Sequence, residues 1–202
     1  MRLALVLAAL VLAAAVPAGA EPLVIGGLLF SDEAGGFVIV DGWGTGTVED
    51  PIVVVEEVIE PMPITLIVRG FSPEWGNRLA ASHPAGFMLK KIVVNRTQYI
   101  WNSYDHELQL VRGTPSDIYD GLSFGQGSEV GRPFLSDSFG TGTMQDEPRD
   151  YLTFRDGEVG PGASASFQYV ITATSGHDEF YIVQDPNRPL ASLAVGGRDP
   201  RG

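Results

Sequence analysis

Along residues 21–186 the apolar residues come in short runs separated by glycine and proline, and several runs alternate with polar positions. Phe167, Tyr169, Ile171 and Ala173 fall on one side of an extended chain; Ser166, Gln168, Thr172 and Thr174 fall on the other. Tyr104, His106, Leu108 and Leu110 likewise share one face, and Asp105, Glu107 and Gln109 the opposite one. A period of two is that of a half-buried strand. Residues 52–59 are apolar apart from Glu56 and Glu57, which predicts a strand buried on both faces. Residues 64–69 follow Pro63, a residue that marks a strand start or a sheet edge. Further strands are predicted at 23–30, 37–40, 87–95 and 180–183. Asn95-Arg96-Thr97-Gln98 predicts a turn, and Glu158-Val159-Gly160-Pro161-Gly162 holds a tight turn with Pro161 at its second position and Gly162 at its third.

No amphipathic helix stands out; Leu79-Ala80-Ala81-Ser82 has room for one short turn between Pro73 and Pro84. Many short strands with Gly/Pro turns predict an all-β, antiparallel β-sandwich, immunoglobulin-like or jelly-roll-like, with long Gly-rich loops. The expected organisation is an N-terminal β segment at 21–70, a connection at 71–86, the sandwich at 87–186 and a flexible tail at 187–202. Whether 21–70 forms its own subdomain or adds strands to the later sandwich stays open. Residues 113–150 carry short apolar pieces between glycines and are expected to lie partly ordered over the rim or one face.

Residues 1–20 change the picture of location. One charge, Arg2, precedes an apolar stretch from Leu3 to Val16, then Pro17 and the small residues Ala18-Gly19-Ala20. This is the pattern of a cleavable signal peptide, and it is too short for a membrane-spanning helix. No cysteine follows it, which argues against a lipid anchor. The chain has no cysteine at all, so an exported domain of this size must rely on its core rather than on disulfides. Without Arg2 the chain carries 12 basic against 25 acidic side chains, a net of −13. Such a surface repels phosphate backbones and anionic lipid, so nucleic acid is not an expected partner. Nine carboxylates and no Lys or Arg lie between Glu21 and Val68, and Lys90 and Lys91 are the only lysines.

Ile92-Val93-Val94-Asn95-Arg96-Thr97, then Trp101 and Tyr104-Asp105-His106-Glu107-Leu108, resembles a pattern in exported bacterial β-sandwich proteins, many of which carry sorting tails of the PEP-CTERM kind. Their later strand–Pro-Gly–strand element is similar to Val159-Gly160-Pro161-Gly162 through Phe167, and their closing strand is similar to Glu179-Phe180-Tyr181-Ile182-Val183-Gln184. The whole chain also looks like exported proteins of alphaproteobacteria. The likeness covers roughly residues 87–186, about half of the chain, and this sequence ends at Gly202 without the apolar helix and basic tail of sorted members. The resemblance implies a fold and a compartment, not a chemistry. It also leads to reading the sequon Asn95-Arg96-Thr97 as a turn rather than a glycan site.

Candidate chemistry is sparse. Gly121-Leu122-Ser123-Phe124-Gly125 matches a nucleophile elbow, with Asp137 or Asp150 and then His177 in the required order. The elbow needs a strand-to-helix turn, and the glycine-rich residues 125–131 are poor helix formers. His106 lies between two acids that alternation points away from it, and is expected to be partly buried with one hydrogen bond. Glu56 and Glu57 face opposite sides of a strand, which is not the arrangement of a glycosidase pair. Calcium would need loop oxygens such as those of Asp41, Glu49 and Asp50, of Asp117 and Asp120, or of Asp137 and Asp146. The same acids also serve as solvated charge. No cofactor is expected otherwise, and no membrane span once the signal is removed.

The candidate binding surface comprises Trp43, Trp75, Trp101 and His106, since exposed aromatics stack on sugars or anchor partners. Trp101 is also the one expected to pack into the sandwich. The expected function is that of a non-catalytic exported binding or structural module, periplasmic or secreted, recognising a protein or glycan of the envelope. The alternatives are an extracellular hydrolase using a carboxylate pair or Ser123, and a calcium-stabilised adhesion module.

Overall fold

A computed structural model describes residues 21–117, 119–125, 134–145 and 148–187. The signal-peptide reading of 1–20 and the tail at 188–202 lie outside the described residues. The strands are β1 (Leu23–Ile25), β2 (Leu28–Ser31), β3 (Phe37–Trp43), β4 (Ile52–Val58), β5 (Ile64–Phe71), β6 (Ala85–Asn95) and β7 (Tyr104–Gln109). They continue with β8 (Leu122–Phe124), β9 (Phe134–Ser136), β10 (Phe139–Gln145), β11 (Tyr151–Gly157), β12 (Ser164–Ala173) and β13 (His177–Pro186). Among the described residues there is no helix.

The fold is an all-β sandwich. One sheet has the order β1-β2-β5-β13-β7-β11-β10; the other has the order β3-β4-β6-β12-β8, with β9 also paired to β12. Every pair is antiparallel except β4 with β6. Strands from residues 21–70 enter both layers: β5 pairs with β13, and β4 pairs with β6. Pro63 therefore marks the start of β5, which lies inside its sheet between β2 and β13, not at an edge.

The period of two sets the core. Phe87, Leu89 and Val93 of β6 face Leu66, Val68, Phe180 and Ile182 of the other layer within one apolar cluster. Tyr104 and Phe167 meet across the layers with ring centroids 4.6 Å apart. A burial of this extent supplies the main favourable term for a chain without disulfides. Thr172 and Val170, on the outer side of β12, are also buried; Val170 packs with Met88 of β6 and with Leu79 of the 71–86 connection. That connection thus caps the outer face of the sheet, and its residues 79–82 make no helical turn.

Four strands, β8 to β11, lie where sequence alternation was weakest, and they extend both layers. The predicted tight turn is present: Ala163 N donates to Gly160 O at 3.0 Å, and Gly162 has φ +80°. This is a type II turn with Pro161 second, and its third position demands positive φ.

Candidate functional site

The inward faces of β4 and β6 are apolar except at Glu56, Lys91 and, at the end of β6, Asn95. Glu56 and Lys91 are 0% exposed, and Lys91 Nζ lies 2.7 Å from Glu56 Oε2. Gln184 of β13 donates from Nε2 to the same oxygen at 3.0 Å, and its own Oε1 accepts the Tyr104 hydroxyl at 3.0 Å. The chain Lys91, Glu56, Gln184, Tyr104 therefore crosses from one sheet to the other inside the core. Beyond the ion pair, neither Lys91 Nζ nor Glu56 Oε1 has a hydrogen-bond partner in the protein. Burial pushes Lys91 down to about 8, against the opposing pull of Glu56. It also raises the Tyr104 and Tyr169 phenols well above their ordinary value, with Glu56 adding to the effect.

His106 sits opposite Gln184 on adjacent strands, inside the same core. It is wholly buried among Tyr104, Phe154, Phe167 and Tyr169, with centroid distances of 5.0 to 5.8 Å. Neither ring nitrogen has a protein hydrogen-bond partner, so the expectation of one hydrogen bond at a partly buried site is corrected on both counts. Desolvation holds its pKa well below the ordinary value, and the Lys91 charge adds to this.

The other face of β7 is polar and nearly as buried. Asp105 accepts from Arg155 at 2.8 and 3.3 Å and from the Tyr151 hydroxyl at 2.6 Å. Glu107 accepts from Arg149 at 2.9 Å and from Gln109 at 2.8 Å, and Gln109 in turn accepts the Gly113 N–H at 2.7 Å. The Arg149 guanidinium lies over the Tyr151 ring, 4.6 Å from its centroid. This face opens on a groove of about 310 Å³ lined by Glu107, Gln109, Arg149, Val183 and Asp185, among others.

That groove shares Pro63 and Asp185 with a larger cleft of about 630 Å³ at the end of the sandwich. Tyr99, Ile100, Pro61, Pro63 and Pro186 give it apolar walls. Tyr99 is 59% exposed and Ile100 46%. The loop that presents them is pinned at both ends. Asn95 donates to Tyr99 O at 2.8 Å and Val159 O at 3.0 Å, and accepts from Thr97 N and Oγ1 at 3.0 and 2.7 Å. Asn95 is fully buried, which agrees with reading the sequon as a turn. At the far end Asn187 donates to Ile100 O at 2.6 Å and accepts from Asn102 N at 2.6 Å. Asn187 thus clamps the far end of this loop.

The sequence-predicted aromatics do not converge. Trp43 is 49% exposed at the end of β3. Trp75 is half-buried, donates to Gly26 O at 2.9 Å and packs edge-on to Phe71 and Phe87. Trp101 is 1% exposed, packs on Tyr104 and reaches the end cleft only as part of its lining. His106 and Trp101 are therefore withdrawn from the exposed binding surface. Ser123 lies within strand β8, 2% exposed and paired with Thr172, not on a strand-to-helix turn. His177 opens β13 and pairs with Phe71, and burial lowers its pKa. Asp150 accepts from Phe124 N at 3.4 Å.

Glu56 and Glu57 do face opposite ways, Glu57 outward to Arg96 at 2.5 Å. Asp117 accepts from Tyr119 N, Asp120 from Leu122 N and Asp41, within β3, from Gly42 N, while Asp137 accepts from Ser166 N of β12. Asp146 lies outside the described residues. Among the described residues no group of three or more His, Asp or Glu is placed to hold a metal ion.

The molecule is thus a two-layer β-sandwich with a closed polar chain in its core and two neighbouring clefts, one with apolar walls and one with charged walls, that share Pro63 and Asp185. Comparison with protein-family models, curated proteins and solved structures finds no match for this chain. No helix of the described residues is long and apolar enough to cross a membrane.

Proposed function

We propose that this chain is a non-catalytic binding module, exported to the periplasm or cell exterior, that holds an extended segment of a protein partner in the groove around Asp185. The signal-like residues 1–20 and the resemblance to exported bacterial sandwich proteins support the compartment. The observation that carries the binding role is that the two clefts adjoin, sharing Pro63 and Asp185 in their linings. Apolar concave walls with a few oriented polar groups are the usual form of a binding site.

A protein segment fits better than a glycan because Pro61, Pro63, Pro186 and Ile100 make up half of the end cleft's lining, and these offer little to a sugar's hydroxyls. The acidic surface favours a basic segment, through attraction over distance. In support of a non-catalytic role, the groove's charged groups Glu107 and Arg149 hold each other, and Ser123 lies in a strand. The test is binding of basic, apolar-flanked peptides to the chain, alongside an array of envelope polysaccharides. Peptide binding that weakens at least about tenfold, or about 1.4 kcal/mol, in Tyr99→Ala and Asp185→Asn supports the reading. Binding to polysaccharide alone, or peptide binding indifferent to both substitutions, overturns it.

A further inference from the structure

Glu56 and Lys91 form an ion pair whose side chains have no exposure, in a chain with no cysteine to staple it. Removing one carboxylate and one ammonium from water costs several kcal/mol per ion after relaxation, and such pairs seldom stabilise a core over an apolar alternative. The pair is also set for chemistry. β4 and β6 run parallel, with Val54 beside Lys91 and Glu56 beside Val93, so the two side chains meet diagonally on the inner face. The amine nitrogen touches one carboxyl oxygen at 2.7 Å, Gln184 holds that same oxygen at 3.0 Å, and the second oxygen is unheld.

We propose that Lys91 and Glu56 condense into an intramolecular amide that links strands β4 and β6. The step conserves atoms and charge. The ammonium passes one proton to the carboxylate, giving a neutral amine and a carboxylic acid. The nitrogen lone pair then attacks Cδ and forms the N–C bond, while the C=O π pair moves onto Oε1. A second nitrogen proton transfers to Oε2, the oxygen Nζ already touches and Gln184 holds, the C=O reforms at Oε1, and Oε2 leaves as water with its bonding pair. Three nitrogen protons become one amide proton and two on the departing water, with no oxidant or co-reactant. Proximity in a preset geometry replaces the activation such a reaction needs in solution. Loss of water from a dry core, and removal of both buried charges, favours the product. The lowered pKa of Lys91 helps the first proton transfer.

The test is the intact mass of the full chain, purified folded and then measured in denaturant. The amide predicts a mass lower by one water molecule than the sequence of that chain requires. Trypsin cuts after Arg69 and Arg78, between the two residues, so the peptide holding Glu56 should stay joined to the one holding Lys91. Cyclisation of an exposed amino-terminal Glu21 also releases one water, and the branched peptide separates the two. Lys91→Met should restore the full mass at this site. A full mass for the unaltered chain, separate tryptic peptides, or a branched peptide that survives Lys91→Met overturns the proposal. Since the unaltered chain alone decides the first two readings, a variant that fails to fold does not shelter it.

Discussion

The two faces of β7 carry almost equal numbers of polar side chains and put them to different ends. On the inner face Tyr104 and His106 belong to the core, within reach of the Glu56–Lys91 pair through Gln184. On the outer face Asp105 is held by Arg155 and Tyr151 and Glu107 by Arg149 and Gln109, and the arginines keep side-chain exposures of 21% and 18%. The inner groups have aromatic rings for neighbours and no route to water. The outer groups retain one, along the groove. The same alternation of side chains thus yields a sealed polar chain on one side and an addressable one on the other. The difference lies in what covers each face: a second sheet, or a partly open loop.

Breaking the inner pair should have the largest effect. Lys91→Ala leaves a buried carboxylate without its counter-ion and is expected to cost about 3–5 kcal/mol in denaturant unfolding. Replacing both members, Glu56→Leu with Lys91→Met, should recover part of that loss, because no charge is then stranded. On the outer face Arg155→Ala leaves Asp105 with the Tyr151 hydroxyl, and solvent along the groove offsets part of the loss. A decrease of about 1–2 kcal/mol is expected from the same measurement. Equal losses on the two faces would erase the distinction between them.

The smallest of these effects is in pH. Burial, aided by Lys91, holds His106 neutral in the fold, so below its ordinary value of 6.5 the unfolded chain takes up a proton that the folded chain refuses. Stability present above pH 6.5 is therefore lost as the pH falls below it. His106→Phe should flatten that slope, leaving the weaker contribution of His177, whose pKa is also lowered by burial. Unfolding midpoints measured from pH 7 down to about 5 check this. An unchanged slope in the variant would place His106 in contact with water.

How far the sequence foretold these faces depends on the strand. In β12 the alternation of Phe167, Tyr169, Ile171 and Ala173 was plain, and these residues line the core. β7 was equally clear in its alternation, yet its outer acids look solvated in sequence and are buried in the fold, because arginines from β11 and the preceding loop cover them. β10 was obscured by Gly140 and Gly142, and β11 by a long loop-like approach, although Leu152 and Phe154 alternate with Thr153 and Arg155.

The core pair was half visible. Lys91 falls in step with the inward positions Phe87, Leu89 and Val93, and Glu56 with Ile52, Val54 and Val58. A charge in step with an apolar face implies a buried partner of opposite sign. What sequence periodicity does not carry is which strand lies beside which, and the parallel pairing of β4 with β6 is what joins the two. The end cleft was hidden for the same reason, since it assembles residues 61–63, 99–101 and 185–187 from three separate stretches.

Lys90 and Lys91 are adjacent, and they point to opposite sides of one strand, which makes them natural reporters of the sealed interior. An amine-reactive reagent applied to the native chain, followed by peptide mapping, should modify the half-buried Lys90 and leave Lys91 untouched. Comparable labelling of Lys91 under native conditions would mean that water reaches the space between the sheets, and the account of a closed polar core would be wrong.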